Sequence, residues 1–409
     1  MRSRRWVIVG GAFVAGVAIG GTAGLAARSG SGTRPVPMAP PARLPSGQPS
    51  SPSPSGTSRD VVPDTLLAWT PGRLPEGFSR KVAALRGVTR AVAVVSGTAW
   101  LTRSYAASGA VVDRPPPGLA IPIEVAAAGL RTYAPFLSPG DRAVLPDLAR
   151  GQGVLGTTSA ELRRLGAGGV LRLGSRRIRI AGVVPDAEIG AHELFVSSDT
   201  AKRLGIVRPR YLLIDPRAGV GRSSLVARIR GLLPQGIPLR IRGPGETPFF
   251  RMGDAVLPPV ILKERFGEFA ARVAPDGSLL VDPRWEATHI VDAAVPILGH
   301  VRCNRGIIPQ LRGALHEIVQ DGLSQLIDPS EYEGCYVPKF IGTDPQSGIS
   351  HHTWGVAFDI NVAQNVFGHT PHLDPRLVSI FERWGFVWGG RWLVPDGMHF
   401  EYLRSSSGN

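Results

Sequence analysis

Cysteine is nearly absent from this chain of 409 residues: Cys303 and Cys335 are the only two. Lysine is almost as scarce, confined to Lys81, Lys202, Lys263 and Lys339, so the net charge of +14 is carried mostly by arginine. With Ala and Gly also abundant, this is the composition of a GC-rich bacterial genome, and much of the charge follows from that. A basic exterior still attracts acidic polymers over long range, an attraction that salt screens. No nucleic acid is expected among them, because there is no basic stripe interleaved with aromatics and no Cys/His finger spacing. Large apolar side chains are almost missing from residues 28–60, which are rich in Pro, Ser and Gly. Such a stretch cannot bury enough surface to order itself and is expected to serve as a flexible, partly extended linker.

Ahead of that linker, residues 1–27 open with Arg2-Ser3-Arg4-Arg5 and continue as an uncharged Gly/Ala/Val run from Trp6 to Ala27. The run is about long enough to cross a bilayer, and the positive charge before it keeps the N-terminus in the cytoplasm. Two readings stand: a signal anchor held in the cytoplasmic membrane, and a signal peptide cut near Ala26. The first gives a single-pass protein with its C-terminal part extracytoplasmic; the second gives a secreted one. In either place a lone cysteine pair is expected as a disulfide, Cys303 to Cys335. Two zinc thiolates are the alternative, and a separation of 32 residues argues against it.

The remaining length suffices for two folded units, and a hydrophobic share of 43% suits globular material. Residues 61–243 are expected to form a separate α+β domain with no catalytic pattern. Val170-Leu171-Arg172-Leu173, then Gly174-Ser175, then Arg177-Ile178-Arg179-Ile180 alternates apolar and polar residues about a two-residue turn, which is a hairpin signal. Ser159 to Gly166 and Thr200 to Gly205 read as short helices stopped by glycine. Glu188, His192 and Glu193 raise the question of a second metal site, and a polar loop tip is the simpler account of them. This order of helix, hairpin, Ala181-Gly182-Val183-Val184 and second helix is similar to the extracytoplasmic domains of MacB/FtsX-like membrane proteins. The Gly- and Pro-rich stretch from 243 to 259 marks the junction. Beyond it, Pro309 to Ile318 reads as a helix with one apolar face.

The most informative residues lie in residues 250–409. Ser350, His352, Gly355, Ala357 and Asp359 fall within ten positions, and Asp396, His399 and Glu401 follow some forty residues later. Hydrolytic zinc sites draw three ligands from His and Asp/Glu and leave a fourth position for water. His352, Asp359 and His399 supply such a set. Asp396, one short turn before His399, stands where a general base is needed. His351 is the neighbouring candidate ligand; on a strand it would point to the opposite face. His352 and Asp359 are seven apart, so a turn near Trp354-Gly355 must bring both inward. His369 and His372 belong to a polar loop and are read as exposed.

The pattern Ser-x-His-x-x-Gly-x-Ala-x-Asp with a distant Asp-x-x-His resembles the VanY-like zinc D-alanyl-D-alanine carboxypeptidases and L-alanyl-D-glutamate peptidases. The resemblance spans roughly residues 255–404 and includes Gly334 to Pro338 and Gly385 to Gly390. It implies an α+β peptidase domain with an antiparallel sheet carrying the metal, and a helix of the Pro309–Ile318 kind packed behind it. It further implies a Zn²⁺ cofactor, peptidoglycan stem peptides as substrate, and hydrolysis of a peptide bond, D-alanyl-D-alanine first. Family members usually carry Arg after the Tyr-x-Pro segment; here that position is Lys339, which keeps the charge for an oxyanion or a terminal carboxylate but not the planar fork. Ser350 and Trp388 are each expected near substrate or behind a ligand. Glu401 either holds a metal-binding histidine by its free N–H or is a salt-bridged strand residue. Acidic wall polymers are expected further partners. Two rival readings are a catalytically inactive homologue that binds peptidoglycan and an adaptor of a membrane complex.

Overall fold

The computed structural model describes residues 64–403. The expected membrane-crossing segment 1–27 and linker 28–60 lie outside the described residues. Among the described residues, no helix is long and apolar enough to cross a membrane. The architecture is α+β.

Nine strands make the first sheet: β1 (Leu66–Trp69), β2 (Val88–Tyr105), β3 (Ile121–Ala128), β4 (Gly153–Gly156), β5 (Val170–Leu173), β6 (Arg176–Val184), β7 (Leu194–Ser197), β8 (Pro209–Pro216) and β9 (Arg240–Arg242). Their order is β3-β7-β4-β6-β5-β2-β8-β1-β9, and a further β2–β3 pairing closes six of them into a ring. Alternation decides what fills it: Leu101, Ile123, Val125, Leu171, Leu173, Ile178, Ile180 and Leu194 are buried in one cluster. The Gly174-Ser175 turn joins β5 and β6 as the sequence pattern requires, with Gly174 at φ 57°. The two short helices also form, as Thr157–Arg163 and Ser198–Arg203. The first ends earlier than expected. Arg164, not Gly166, takes the left-handed turn (φ 47°), and this brings Leu165 into the ring's core.

The rest of the chain builds around one large apolar cluster. Two hairpins, β10 (Ala271–Val273) with β11 (Leu279–Val281) and β12 (Ile290–Val295) with β13 (Gly299–Asn304), precede a three-stranded antiparallel sheet. That sheet comprises β14 (Ala357–Asp359), β15 (Phe386–Trp388) and β16 (His399–Tyr402), with β16 central. Behind it the helix Pro375–Arg383 sets Phe381 against Phe400 at 4.7 Å and Phe358 at 5.2 Å between ring centroids. The family resemblance implies this support from the helix expected over Pro309–Ile318, which forms as Ile308–Gln320. That helix instead braces the first: Glu317 accepts from Trp384 Nε1 at 2.6 Å and pairs with Arg383. Gly313 makes room for the Trp384 ring, where a Cβ would sit 2.2 Å away. Cys303 at the end of β13 is disulfide-bonded to Cys335.

Buried charges cross between these two cores. Arg163 and Glu193, both fully buried, meet Lys263 of the helix Pro259–Phe266 and the nearby Glu268. Lys263 Nζ lies 2.8 Å from Glu193 and 3.2 Å from Glu268, and it also donates to the Pro122 carbonyl. Backbone pairing of Ala120 with Ala271 adds a direct main-chain link. His192 and Glu193 are therefore not a loop tip, as their polarity suggested; both are fully buried. The Glu193 carboxylate is taken up by partners that lie far along the sequence, whereas His192 Nδ1 meets the Ile189 carbonyl three residues away at 2.8 Å. Removing one member of a buried ion network strands the others. Lys263→Ala is expected to cost about 3–5 kcal/mol, read as a lowered midpoint of chemical denaturation, and a change under about 1 kcal/mol would contradict the importance given to this junction.

Candidate metal centre

His352 does not sit in a strand. Ser350 caps a single 3₁₀ turn, His351–Trp354, its hydroxyl accepting from the His352 N–H at 3.4 Å. Gly355 then reverses the chain in the left-handed region (φ 67°, ψ 32°). Only glycine fits there, since a Cβ would stand 2.7 Å from the Asn304 nitrogen. Two residues on, β14 begins, and Asp359 at its end lies directly opposite His399 on β16. The odd interval between His352 and Asp359 is thus absorbed by a turn followed by a strand.

The ligand atoms of His352, Asp359 and His399 all lie within 4.8 Å of one another, and all three residues are buried. His352 Nε2 is 3.2 Å from Asp359 Oδ2 and 3.2 Å from His399 Nδ1, and that Nδ1 is 2.8 Å from Asp359 Oδ1. The other nitrogen of each ring faces away to a fixed partner. His352 Nδ1 meets the Cys335 carbonyl at 3.2 Å, which ties the imidazole to the disulfide loop. His399 Nε2 meets Glu401 Oε1 at 3.2 Å. Glu401 is itself held by the Val256 backbone N–H at 3.1 Å and lies 3.1 Å from His351 Nδ1.

The electrostatics favour a cation at the convergence point. Burial alone would raise the Asp359 carboxyl, but hydrogen bonds from both imidazoles outweigh it and hold Asp359 well below the usual carboxylate range. His399 is pushed up to about 10: burial opposes its charge, and Asp359 and Glu401 overcome that. Burial depresses His352 in the same surroundings. Two buried carboxylates thus concentrate negative potential on a His/Asp/His set whose outward atoms are already partnered. This donor set, two imidazole nitrogens and a carboxylate with outer partners in place, fits a divalent metal of the borderline kind.

Asp396 stands beside the cluster without joining it. The His399 N–H donates to its carbonyl at 3.3 Å, closing the turn, and the Asp396 N–H donates to the Gly389 carbonyl at 3.0 Å. Gly389 admits this approach because a Cβ there would lie 2.7 Å from the Asp396 carbonyl oxygen. Trp388 secures the same turn, its indole N–H donating to the Gly397 carbonyl at 2.7 Å. The Asp396 Oδ1 is buried and has no hydrogen-bond partner. Burial pushes its carboxyl up to about 6, with His399 pulling it down and Asp359 and Glu401 adding to the rise. Lys339 is anchored by its backbone, its N–H donating to Thr353 Oγ1 at 3.0 Å and its carbonyl accepting from the Ser350 N–H at 3.0 Å. Its positive charge bears on both Asp396 and His352.

Three neighbours were not read from the sequence as parts of the site. His351 is buried against Glu401 rather than turned away. The Trp392 ring lies 5.1 Å from the His399 ring. Val256, about 145 residues from Glu401, supplies a backbone N–H that no side-chain pattern announces. His369 and His372 are exposed, as their loop composition suggests. Among the described residues, His352, Asp359 and His399 are the single grouping of this kind.

Residues 343–402 match the family model described as D-alanyl-D-alanine carboxypeptidase, among the M15 peptidases. This match covers all three candidate ligands and Asp396, and it supports a metal-dependent peptidase of that general kind. No curated protein matches the chain. Solved structures resemble part of it more distantly. The periplasmic region of MacB from Actinobacillus actinomycetemcomitans aligns at 12% identity and TM-score 0.33, over 45% of this chain and 91% of that one. The extracellular domain of the noncanonic ABC-type transporter YknZ from Gram-positive bacteria aligns at 13% and 0.29, over 44% and 99%. A domain of a putative permease protein from Porphyromonas gingivalis aligns at 17% and 0.30, over 50% and 96%.

Proposed function

We propose that the protein is a zinc-dependent peptidase that hydrolyses peptide bonds in peptidoglycan stem peptides outside the cytoplasmic membrane, as a VanY-like D-alanyl-D-alanine carboxypeptidase. The observation that carries this reading is the placement of a half-buried Asp396, whose Oδ1 is buried without a hydrogen-bond partner, beside the converging His352, Asp359 and His399. Bound there, zinc would supply Lewis-acid polarisation of a carbonyl and a water acidified towards neutral pH. The chain's own residues do the rest. Asp396 as carboxylate accepts the proton of the attacking water; as the C–N bond breaks, it returns that proton to the leaving amine. Lys339 offers a positive charge to the developing oxyanion or to the substrate's terminal carboxylate, which favours a carboxypeptidase over an endopeptidase. Glu401 and the Cys335 carbonyl fix the two imidazoles in their orientations. The basic, then apolar, N-terminal segment supports attachment to the membrane or export to the wall.

Digestion of purified muropeptides followed by mass spectrometry tests the bond. Loss of one terminal alanine is the expected product; a cut between the first two stem residues would identify an endopeptidase, and unchanged muropeptides would overturn the reading. The pH profile gives a second check. A base works only when deprotonated, so activity should fall as the pH drops through the Asp396 pKa. Burial places that value at about 6, and a nearby cation draws it lower. The acid limb of kcat/KM is therefore expected at or below about pH 6, and a limb centred well above it would assign the proton transfer to another group.

A further inference from the structure

The outer face of β2, β5 and β6 takes no part in the metal centre. Arg103 on β2 stands opposite Arg172 on β5, which stands opposite Arg177 on β6. Two positions along each strand, the next row is Tyr105, Val170 and Arg179. Residues two apart on a strand share a face, so four arginines and a tyrosine share this one. The residues between them, Leu171 and Ile178, fill the ring instead. Arg172, Arg177 and Arg179 are exposed, and Arg103 and Tyr105 are half-buried. The Arg177 guanidinium lies 5.7 Å from the Tyr105 ring centroid. Among the described residues none of the four guanidiniums has a carboxylate partner; the nearby Asp113 is held by Ser104 and Arg163.

Adjacent strands are about 4.8 Å apart, and like charges directly opposite on neighbouring strands destabilise a sheet. Among the described residues no carboxylate relieves this row. Guanidinium groups match phosphate oxygens through their planar fork of donors. The cations run in a line across three strands, and because those strands belong to a closed ring, the face is convex. A flexible chain of anions can follow such a surface, whereas a plane of lipid headgroups meets it along a narrow contact. We propose that this face binds a linear polyanion whose repeating units carry phosphate, holding the protein on that polymer independently of the metal centre. The stripe escaped the sequence pattern because Arg103 is separated from Arg172 by 69 positions and joins it through β-pairing alone.

Long-chain inorganic polyphosphate is a suitable probe, titrated against the full chain at several salt concentrations. The variant Arg103→Gln/Arg172→Gln/Arg177→Gln/Arg179→Gln is compared with a control of equal charge change, Lys81→Gln/Lys202→Gln/Arg272→Gln/Arg284→Gln, at exposed positions elsewhere. The face variant is expected to bind about tenfold or more weakly with a flatter salt dependence, since fewer counterions are released, while the control stays near wild type. Its thermal midpoint should be no lower than wild type, because repulsion is removed. Equal losses in both variants would reduce the effect to net charge and overturn the proposal. So would a face variant that keeps polyphosphate binding but no longer binds vesicles of phosphatidylglycerol in phosphatidylcholine, which would make the face a membrane contact.

Discussion

Asp396→Asn is expected to abolish hydrolysis while leaving the fold and the bound metal in place. Asn is nearly the same size and keeps an oxygen where Asp396 Oδ1 stands buried without a partner. The turn that holds residue 396 is built from backbone groups and from Trp388 bonding to Gly397, none of which the substitution touches. What is lost is the capacity to take a proton. Positioned general bases contribute about 10²–10⁴-fold to rate, so kcat should fall by at least that range with KM little changed and metal content near wild type. The acid limb of the pH profile should vanish with it. Loss of metal in this variant would make Asp396 a ligand, and the base would then have to be sought at Glu401.

His399→Ala is expected to have the other large effect, through binding rather than chemistry. His399 is the junction of the cluster: Nδ1 faces Asp359 and His352, and Nε2 faces Glu401. Its removal takes away one of the three candidate ligands and leaves Asp359 and Glu401 as buried carboxylates without the group between them. Elemental analysis should fall from about one zinc per chain for the wild type, the stoichiometry expected of a three-ligand hydrolytic site, towards zero. Activity should fall with it. A variant that retains stoichiometric metal would show that the ligands are chosen wrongly. His352→Ala should behave alike, whereas exposed His369 and His372 should be replaceable without effect on metal content.

The chemistry of this site was more legible in the sequence than its geometry. The pattern from Ser350 to Asp359 and from Asp396 to His399 picked out the same three candidate ligands that the structure gathers, because the fixed residues around them are restrictive where their spacing alone is not. It did not reveal that His352 rides a 3₁₀ turn. Nor did it reveal that His351, read as facing away, packs against Glu401. Strand alternation is the wrong rule where a left-handed glycine reverses the chain after one turn. The hairpin about Gly174-Ser175 was readable for the opposite reason: its signal is local, and its turn chemistry agrees with its alternation. Glu193 misled because polarity alone says surface. Its partners Arg163 and Lys263 lie thirty and seventy positions away, and only the packed structure shows that they meet. Val256 is invisible for a similar cause, since a backbone N–H carries no residue signature.

The central claim is that His352, Asp359 and His399 hold a zinc ion that works together with Asp396 to cleave stem peptides. Its most direct test is to strip the full chain of metal, add one equivalent of zinc, and follow release of D-alanine from a stem pentapeptide by mass spectrometry, for wild type and Asp396→Asn side by side. Release that appears only on zinc addition, and only in the wild type although both proteins bind the metal, is the result predicted. Release that persists in the stripped protein, or that Asp396→Asn carries out as fast as wild type, would contradict it.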